Sequence, residues 1–283
     1  MTDRLLNYLF AFIIIVLFVI FADETGQTWI LAALFLGLVT VLMAYLSNAL
    51  TIDGAGAALT VGVVSMGFGT WTGAVLVLFF FISSYGLAYW FDRLESGKRD
   101  QPKHRLVTER RNGYQVWANS FWFVLLLTAF YIFGERWMIV CAAAAIAAAT
   151  SDTWSSMIGV RFSKEVRLIT NFQVVTPGTD GGVSYTGTMA ALTGAAAMAF
   201  LFLITGYAGD TRAGLIILVS GFSGCIVDSY LGAIFQYHKT VENWLPDIRN
   251  SMPVRVIKRT IPDNDGVNFL ATGIAVLIAF LLY

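Results

Sequence analysis

The chain has 283 residues, 57% of them apolar and 13% charged, with no formal net charge and a mean hydropathy of +0.71. Soluble domains run to about 45–50% apolar and about 25% charged, so a soluble globular domain is excluded and an all-α polytopic membrane protein is expected. Nothing in the charge balance points to nucleic acid. Cys141 and Cys225 both lie in apolar stretches without metal-like spacing, so neither a disulfide nor a zinc site is expected.

A membrane span needs about 20 apolar residues. On that measure about nine helices are predicted, near 5–22, 28–46, 55–69, 71–91, 116–133, 137–157, 184–204, 213–235 and 267–283. The run from Leu5 to Ala22 is followed by acidic Asp23 and Glu24 and reads as a first span rather than a cleavable signal. The third is short and rich in glycine (Gly54, Gly56, Gly62, Gly67, Gly69), which is compatible with a re-entrant segment. The whole chain is expected to be a single membrane domain, 1–283, with N-terminal spans in 1–50 and a core in 51–283.

Basic residues orient the bundle. Seven Lys and Arg lie between Arg93 and Arg111, three at Arg161, Lys164 and Arg167, and five between Lys239 and Arg259, with Arg4 near the start. Nine alternating spans with a cytoplasmic N-terminus put all of these on one side, as the positive-inside rule requires, and leave Arg136 and Arg212 opposite. The long loops 92–115, 158–183 and 236–266 then fall in the cytoplasm, and a multi-pass protein of the cell or inner membrane with a cytoplasmic active face is expected.

Polar residues collect on that face. Asp53 precedes the third span, Asp152 lies in "ATSDTWSSMIG", Asp228 in "SGCIVDSYLGA" and Asp265 in "PDNDGVNF". A carboxylate within a span is costly, so it normally faces a partner or a wet cavity; for Asp53 pairing with an arginine or capping a helix is an equal alternative. In "TPGTDGGVSYTGT" (176–188), Gly178, Gly181 and Gly182 flank Thr179 and Asp180 and lead through Ser184 into the seventh span. Glycines permit left-handed turns, successive backbone N–H groups form anion-binding nests, and a helix N-terminus favours negative charge. A plain glycine turn with an N-cap explains the same residues. The GxxxxGK[ST] spacing of a P-loop is absent.

Two further clusters share the side. "ERRNGYQVWANS" (109–120) brings Arg110, Arg111, Gln115 and Asn119, and "IPDNDGVNF" (261–269) brings Asn264, Asp265 and Asn268. Carboxylates hold Mg²⁺ while a substrate supplies phosphate oxygens, and arginines clamp the remaining charge. Metal ligands are expected at Asp152, Asp228 and Asp265, catalytic roles at Asp152, Asp228 and Asp180, and Ser229 beside Asp228 as a further phosphate contact.

At "SDTWSSMIG", "TPGTDGGVSYTGTMAALTGA", "DSYLGAIFQ", "NDGVNF" and the earlier "RRNGYQVWAN", the chain resembles the integral membrane family of domain-of-unknown-function number 92, from Leu46 onward. That family includes transmembrane protein 19 and the phytyl-phosphate kinase of plant tocopherol synthesis, and it is distantly similar to CTP-using lipid kinases and CDP-diacylglycerol synthases. Where the family's block continues Ser-Glu-Ile-Gly, Met157 stands in place of the glutamate and removes one candidate ligand. The resemblance implies Mg²⁺-dependent phosphoryl transfer from a nucleoside triphosphate, CTP foremost, to a phytyl or polyprenyl monophosphate, whose tail would lie between spans among membrane lipids. A CDP-lipid-forming nucleotidyltransferase and an ion-coupled transporter or flippase are the alternatives, and a homodimer is compatible with the sequence.

Overall fold

A computed structural model describes residues 2–95, 110–237 and 262–283. The basic residues of 96–109 and 238–261, on which much of the expected orientation rests, lie outside the described residues. The helices are α1 (Thr2–Val16, closing in a π-helical turn Leu17–Phe21), α2 (Glu24–Leu46), α3 (Ile52–Glu95), α4 (Gly113–Phe133), α5 (Arg136–Phe162), α6 (Tyr185–Ile204), α7 (Thr211–Gly232, continuing in a π-helical turn Ala233–Tyr237) and α8 (Asn264–Leu282).

Helix α3 is a hairpin. A straight helix of 44 residues would be about 66 Å long, roughly twice the hydrocarbon core of a bilayer. Thr70 instead adopts φ 52° and ψ −145°, and the chain folds back there. A Cβ at Gly73 would collide with the backbone oxygen of Ser65. Thr72 donates to the carbonyl of Thr205 at 3.1 Å, and Tyr85 donates to that of Ser47 at 3.2 Å, so the second arm retraces the first. Among the described residues eight helices are long and apolar enough to cross a membrane. With the two arms counted apart the described residues make nine passes, the number expected from the sequence, and the third segment is an arm whose apex is Thr70.

The passes alternate, so one end of the bundle gathers residues 47–51, 110–112, 163–184 and 262–263. The other end carries the short connections, where Arg136 pairs with Asp210 at 2.7 Å. Asp53 pairs with Arg4 at 3.1 Å, the ordinary alternative for that residue. Helix α1 is fixed to α4 by the Trp117 indole N–H, which donates to Asn7 at 2.7 Å, and by the stacking of Phe10 on Trp117.

Helix α5 is the hub, packed against α3, α4, α6, α7 and α8. Its stretch "CAAAAIAAAT" is wholly buried. Side chains this small let neighbouring backbones approach closely, which is how helices associate where lipid tails are as apolar as the helices themselves. Over its end lies a three-stranded antiparallel sheet, order β2-β1-β3, of β1 (Val166–Leu168), β2 (Val174–Val175) and β3 (Gly182–Val183).

Candidate active site

Helices α5 and α7 run in the same direction, and their contact is set by small residues. A Cβ at Gly221 would stand 2.7 Å from the Ala147 Cβ, and one at Gly224 would stand 2.5 Å from the Ala148 Cβ. Side chains four residues apart lie on one helix face, so the positions one turn beyond Ala148 and Gly224 must also face each other. Those positions are Asp152 and Asp228. Their carboxyl groups meet side chain to side chain, and Asp180 adds a third negative charge acting on Asp228.

Helix α6 closes the next wall. A Cβ at Gly159 would lie 3.2 Å from the Gly187 Cα, and one at Gly187 would lie 3.2 Å from the Ser155 carbonyl oxygen. The α6 N-cap is Ser184, whose hydroxyl accepts from the Gly187 N–H at 3.1 Å and from the Ser163 hydroxyl at 2.6 Å. This ties the end of α5 to the start of α6.

The glycine loop crosses the open end between β2 and β3. Thr179 N–H donates to Thr176 C=O at 3.2 Å, with Pro177 and Gly178 (φ 88°) at the two central positions, the residues a type II turn favours. A second turn follows at once, with Gly182 N–H donating to Thr179 C=O at 2.9 Å and Gly181 at φ 75°. Gly181 sits directly on α7: a Cβ there would collide with the backbone of Ala233. The expected nest is therefore only partly available, because the amides of Thr179 and Gly182 close turns.

These walls enclose a polar cavity of about 260 Å³. Of the residues expected at the site, Asp152, Asp180, Asp228, Gly178, Thr179, Gly181, Gly182, Ser184, Ser229 and Asn264 line it. Asn119 and Asn268 lie behind the aspartate pair, with Asp152 and Asp228, in a crevice of about 10 Å³. Ser229 makes no side-chain hydrogen bond among the described residues, so its hydroxyl is available to a ligand.

Four expected residues lie elsewhere. Backbone bonds from Thr51 N–H to Arg111 C=O (3.1 Å) and from Arg111 N–H to Ala49 C=O (2.9 Å) hold Arg111 beside the start of α3. Its guanidinium lies over the Phe80 ring, and that of Arg110 over Tyr45. Gln115 completes a capping box with Asn112. Asp265 lies in the first turn of α8, where a carboxylate favours the positive helix end, while Asp263 is the cap, accepting from the Gly266 N–H at 3.0 Å. None of the four is in the lining of the acidic cavity, which among the described residues contains no Lys or Arg.

Sequence reasoning missed Ser155, Ser156, Gly159, Gly232 and Gln236, all in the lining. Their signal was the helical repeat itself: positions three, four and seven beyond Asp152 and four and eight beyond Asp228. Met157 falls outside that repeat and outside the lining.

The lining offers carboxylates, hydroxyls and amides, a hard-oxygen set suited to Mg²⁺. Among the described residues no group of three His, Cys, Asp or Glu forms a protein-only metal cage. Mg²⁺ is commonly held by one or two carboxylates with substrate phosphates and water completing the shell, and Asp152 with Asp228 fits that arrangement.

The integral membrane protein family DUF92 matches residues 34–276. An uncharacterized membrane protein of Methanocaldococcus jannaschii is 34% identical over 161 residues, 56% of this chain and 57% of that protein. Protein PGR of Arabidopsis thaliana is 33% identical over 142 residues, 44% of this chain and 48% of that protein. An uncharacterized membrane protein of Synechocystis is 29% identical over 196 residues, 66% of this chain and 72% of that protein. The chain thus spans about half the length of the first two relatives. No solved structure matches. The aspartate pair and the glycine loop fall within the matched span, and the chain belongs to the DUF92 family of integral membrane proteins.

Proposed function

We propose that the protein transfers a phosphoryl group from a nucleoside triphosphate, CTP foremost, to an isoprenoid monophosphate at the cytoplasmic membrane face. The observation that carries this reading is the side-chain contact of Asp152 and Asp228 in a polar cavity that the glycine loop and the α6 N-terminus also wall. Two like charges in contact repel unless a cation or a shared proton compensates them. Mg²⁺ bound by these carboxylates supplies that compensation and neutralises phosphate oxygens. The resemblance to a family that includes a phytyl-phosphate kinase supports the choice of acceptor.

The residues have separate tasks. Asp152 and Asp228 would hold the cation, and Asp180 adds negative charge on the loop side. The α6 N-terminus and the remaining loop amides orient phosphate, with the Ser229 hydroxyl as a further donor. Phosphoryl transfer asks the protein for positioning and charge neutralisation rather than covalent chemistry. An acceptor phosphate oxygen, already anionic, forms the new bond to the γ-phosphorus. The bond from that phosphorus to the β–γ bridging oxygen breaks, and its electrons leave with the nucleoside diphosphate. No strong base is required, in keeping with the absence of histidine from the spans.

Purified protein incubated with Mg²⁺, each of the four nucleoside triphosphates and a panel of prenyl monophosphates is expected to yield the prenyl diphosphate and a nucleoside diphosphate. Asp152→Asn and Asp228→Asn should each lower turnover at least 100-fold while the protein remains monodisperse, and EDTA should abolish activity until Mg²⁺ is restored. Full turnover in either variant rules the scheme out. A CDP-lipid with pyrophosphate as products would establish nucleotidyl transfer instead.

A further inference from the structure

A second cavity, of about 150 Å³, lies on the other side of α4, between α2 and the two arms of the α3 hairpin. Its lining runs from Ala33 to Ala44 along α2 and from Trp71 to Phe81 along the second arm, roughly 15 Å of helix at 1.5 Å per residue. Leu36, Trp71 and Leu78 belong both to this lining and to the exposed surface of the bundle, so the slot opens sideways, toward lipid, between α2 and the second arm.

The slot is apolar except at one end. Thr40 donates to the Leu36 carbonyl and Ser120 to the Val116 carbonyl, both on their own helices. Gln115 is engaged by the Asn112 N–H. Arg111 is different: its guanidinium lines the slot 5.9 Å from the Phe80 ring centre, and among the described residues it has no carboxylate partner. Burial lowers the Arg111 pKa from its ordinary value, yet arginine stays charged in proteins. A cation held beside apolar walls, with no anion against it among the described residues, suits an anionic ligand, and the fork of a guanidinium matches phosphate.

We propose that this slot binds the tail of a single-chain lipid phosphate, with Arg111 meeting its phosphate at the loop end. The inference deepens the functional reading above and rests on it for the identity of the chain. Helix α4 is the shared wall: Val116 and Ser120 line the slot, while Asn119, on a different face of the same two turns, lines the crevice behind Asp152 and Asp228. The slot is thus a lipid-binding site one helix away from the acidic cavity.

Gly62 provides the test. It lines the slot, and a Cβ built there meets nothing within 4 Å, so a substitution there starts in open space. Tritiated farnesyl monophosphate should bind the purified protein in nanodiscs saturably, without nucleotide or Mg²⁺, and more tightly than farnesol. Gly62→Leu should weaken both ligands at least tenfold. Arg111→Gln should weaken the phosphate tenfold and leave farnesol unchanged, erasing the preference. Should either variant fail to fold, Gly62→Cys modified by a maleimide supplies the reading, because farnesyl monophosphate should slow that modification. Wild-type binding in Gly62→Leu, a retained phosphate preference in Arg111→Gln, or modification of Gly62→Cys at an unchanged rate overturns the proposal. The two readings fail separately: active Asp152→Asn defeats the chemistry without touching these binding results, and loss of slot binding leaves the acidic cavity standing.

Discussion

The seam between α5 and α7 and the slot between α2 and α3 are both lined by glycine and alanine, yet they use them for opposite ends. At Gly221 and Gly224 the space left by the missing side chain is already filled, by Ala147, Ala148 and Ala275. At Gly62 that space is open. A small residue in a membrane helix therefore marks either a point where two backbones touch or a point where something else fits, and only the neighbour's position distinguishes them. In the first case the glycine is structural and brings Asp152 to Asp228. In the second it leaves a volume whose charged residue, Arg111, sits at one end.

The sharpest way to break the contrast is to enlarge the filled seam. Gly224→Val places its Cβ within 2.5 Å of the Ala148 Cβ and 3.0 Å of the Ala275 Cβ. Overpacking of this kind costs about 1–3 kcal/mol and occasionally more. Because α5 is the hub of the bundle, the variant should lose most of its monodisperse peak in size-exclusion chromatography, and any folded remainder should be inactive. A normal peak with normal turnover would mean that the seam does not set the aspartate contact.

A smaller effect is expected where the glycine loop meets α7. Gly181→Ala puts a side chain at φ 75° and against the Ala233 backbone. The left-handed conformation alone costs an L-residue about 1–2 kcal/mol. The loop should lift from α7 and carry Asp180 with it, so turnover should fall more than tenfold while thermal unfolding in detergent shifts by only a few degrees. Equal and large losses of both would show that the loop supports the whole fold rather than one wall of the cavity.

Much of this was legible in the sequence, for reasons specific to membranes. Span lengths are set by bilayer thickness, so all nine passes, including the break at Thr70, could be placed from apolar runs and glycine punctuation. The costly carboxylates Asp152 and Asp228 pointed at each other across the sequence, because nothing else justifies a buried charge in each of two spans. What could not be read was the lateral arrangement. Arg110 and Arg111 stand nine and eight residues before Asn119, and sequence distance suggested a common site. A parallel backbone bridge from Leu50 to Arg111 instead anchors that segment to α3, a pairing across 61 positions that no local pattern announces. Asp265 lies apart from the cavity lining for a simpler reason: in "PDNDG" three polar residues compete for the cap, and Asp263 takes it.

The mildest test sets one substitution at two sites. Alanine replaces a helical glycine with a gain of about 0.4–1 kcal/mol when the backbone is compatible and the space is free. Gly62 meets the second condition, since its built Cβ touches nothing within 4 Å, and it lies in the continuous first arm of α3. Gly62→Ala should therefore raise the midpoint of thermal unfolding by a degree or two and trim the slot only slightly. Gly221→Ala, with its Cβ 2.7 Å from the Ala147 Cβ, should lower the midpoint despite the same gain in helix propensity, because the clash outweighs it. Shifts of one sign at both positions would mean that propensity decides and local space does not. Opposite signs would establish that the seam is closed where it joins the aspartates and that the slot is open at Gly62.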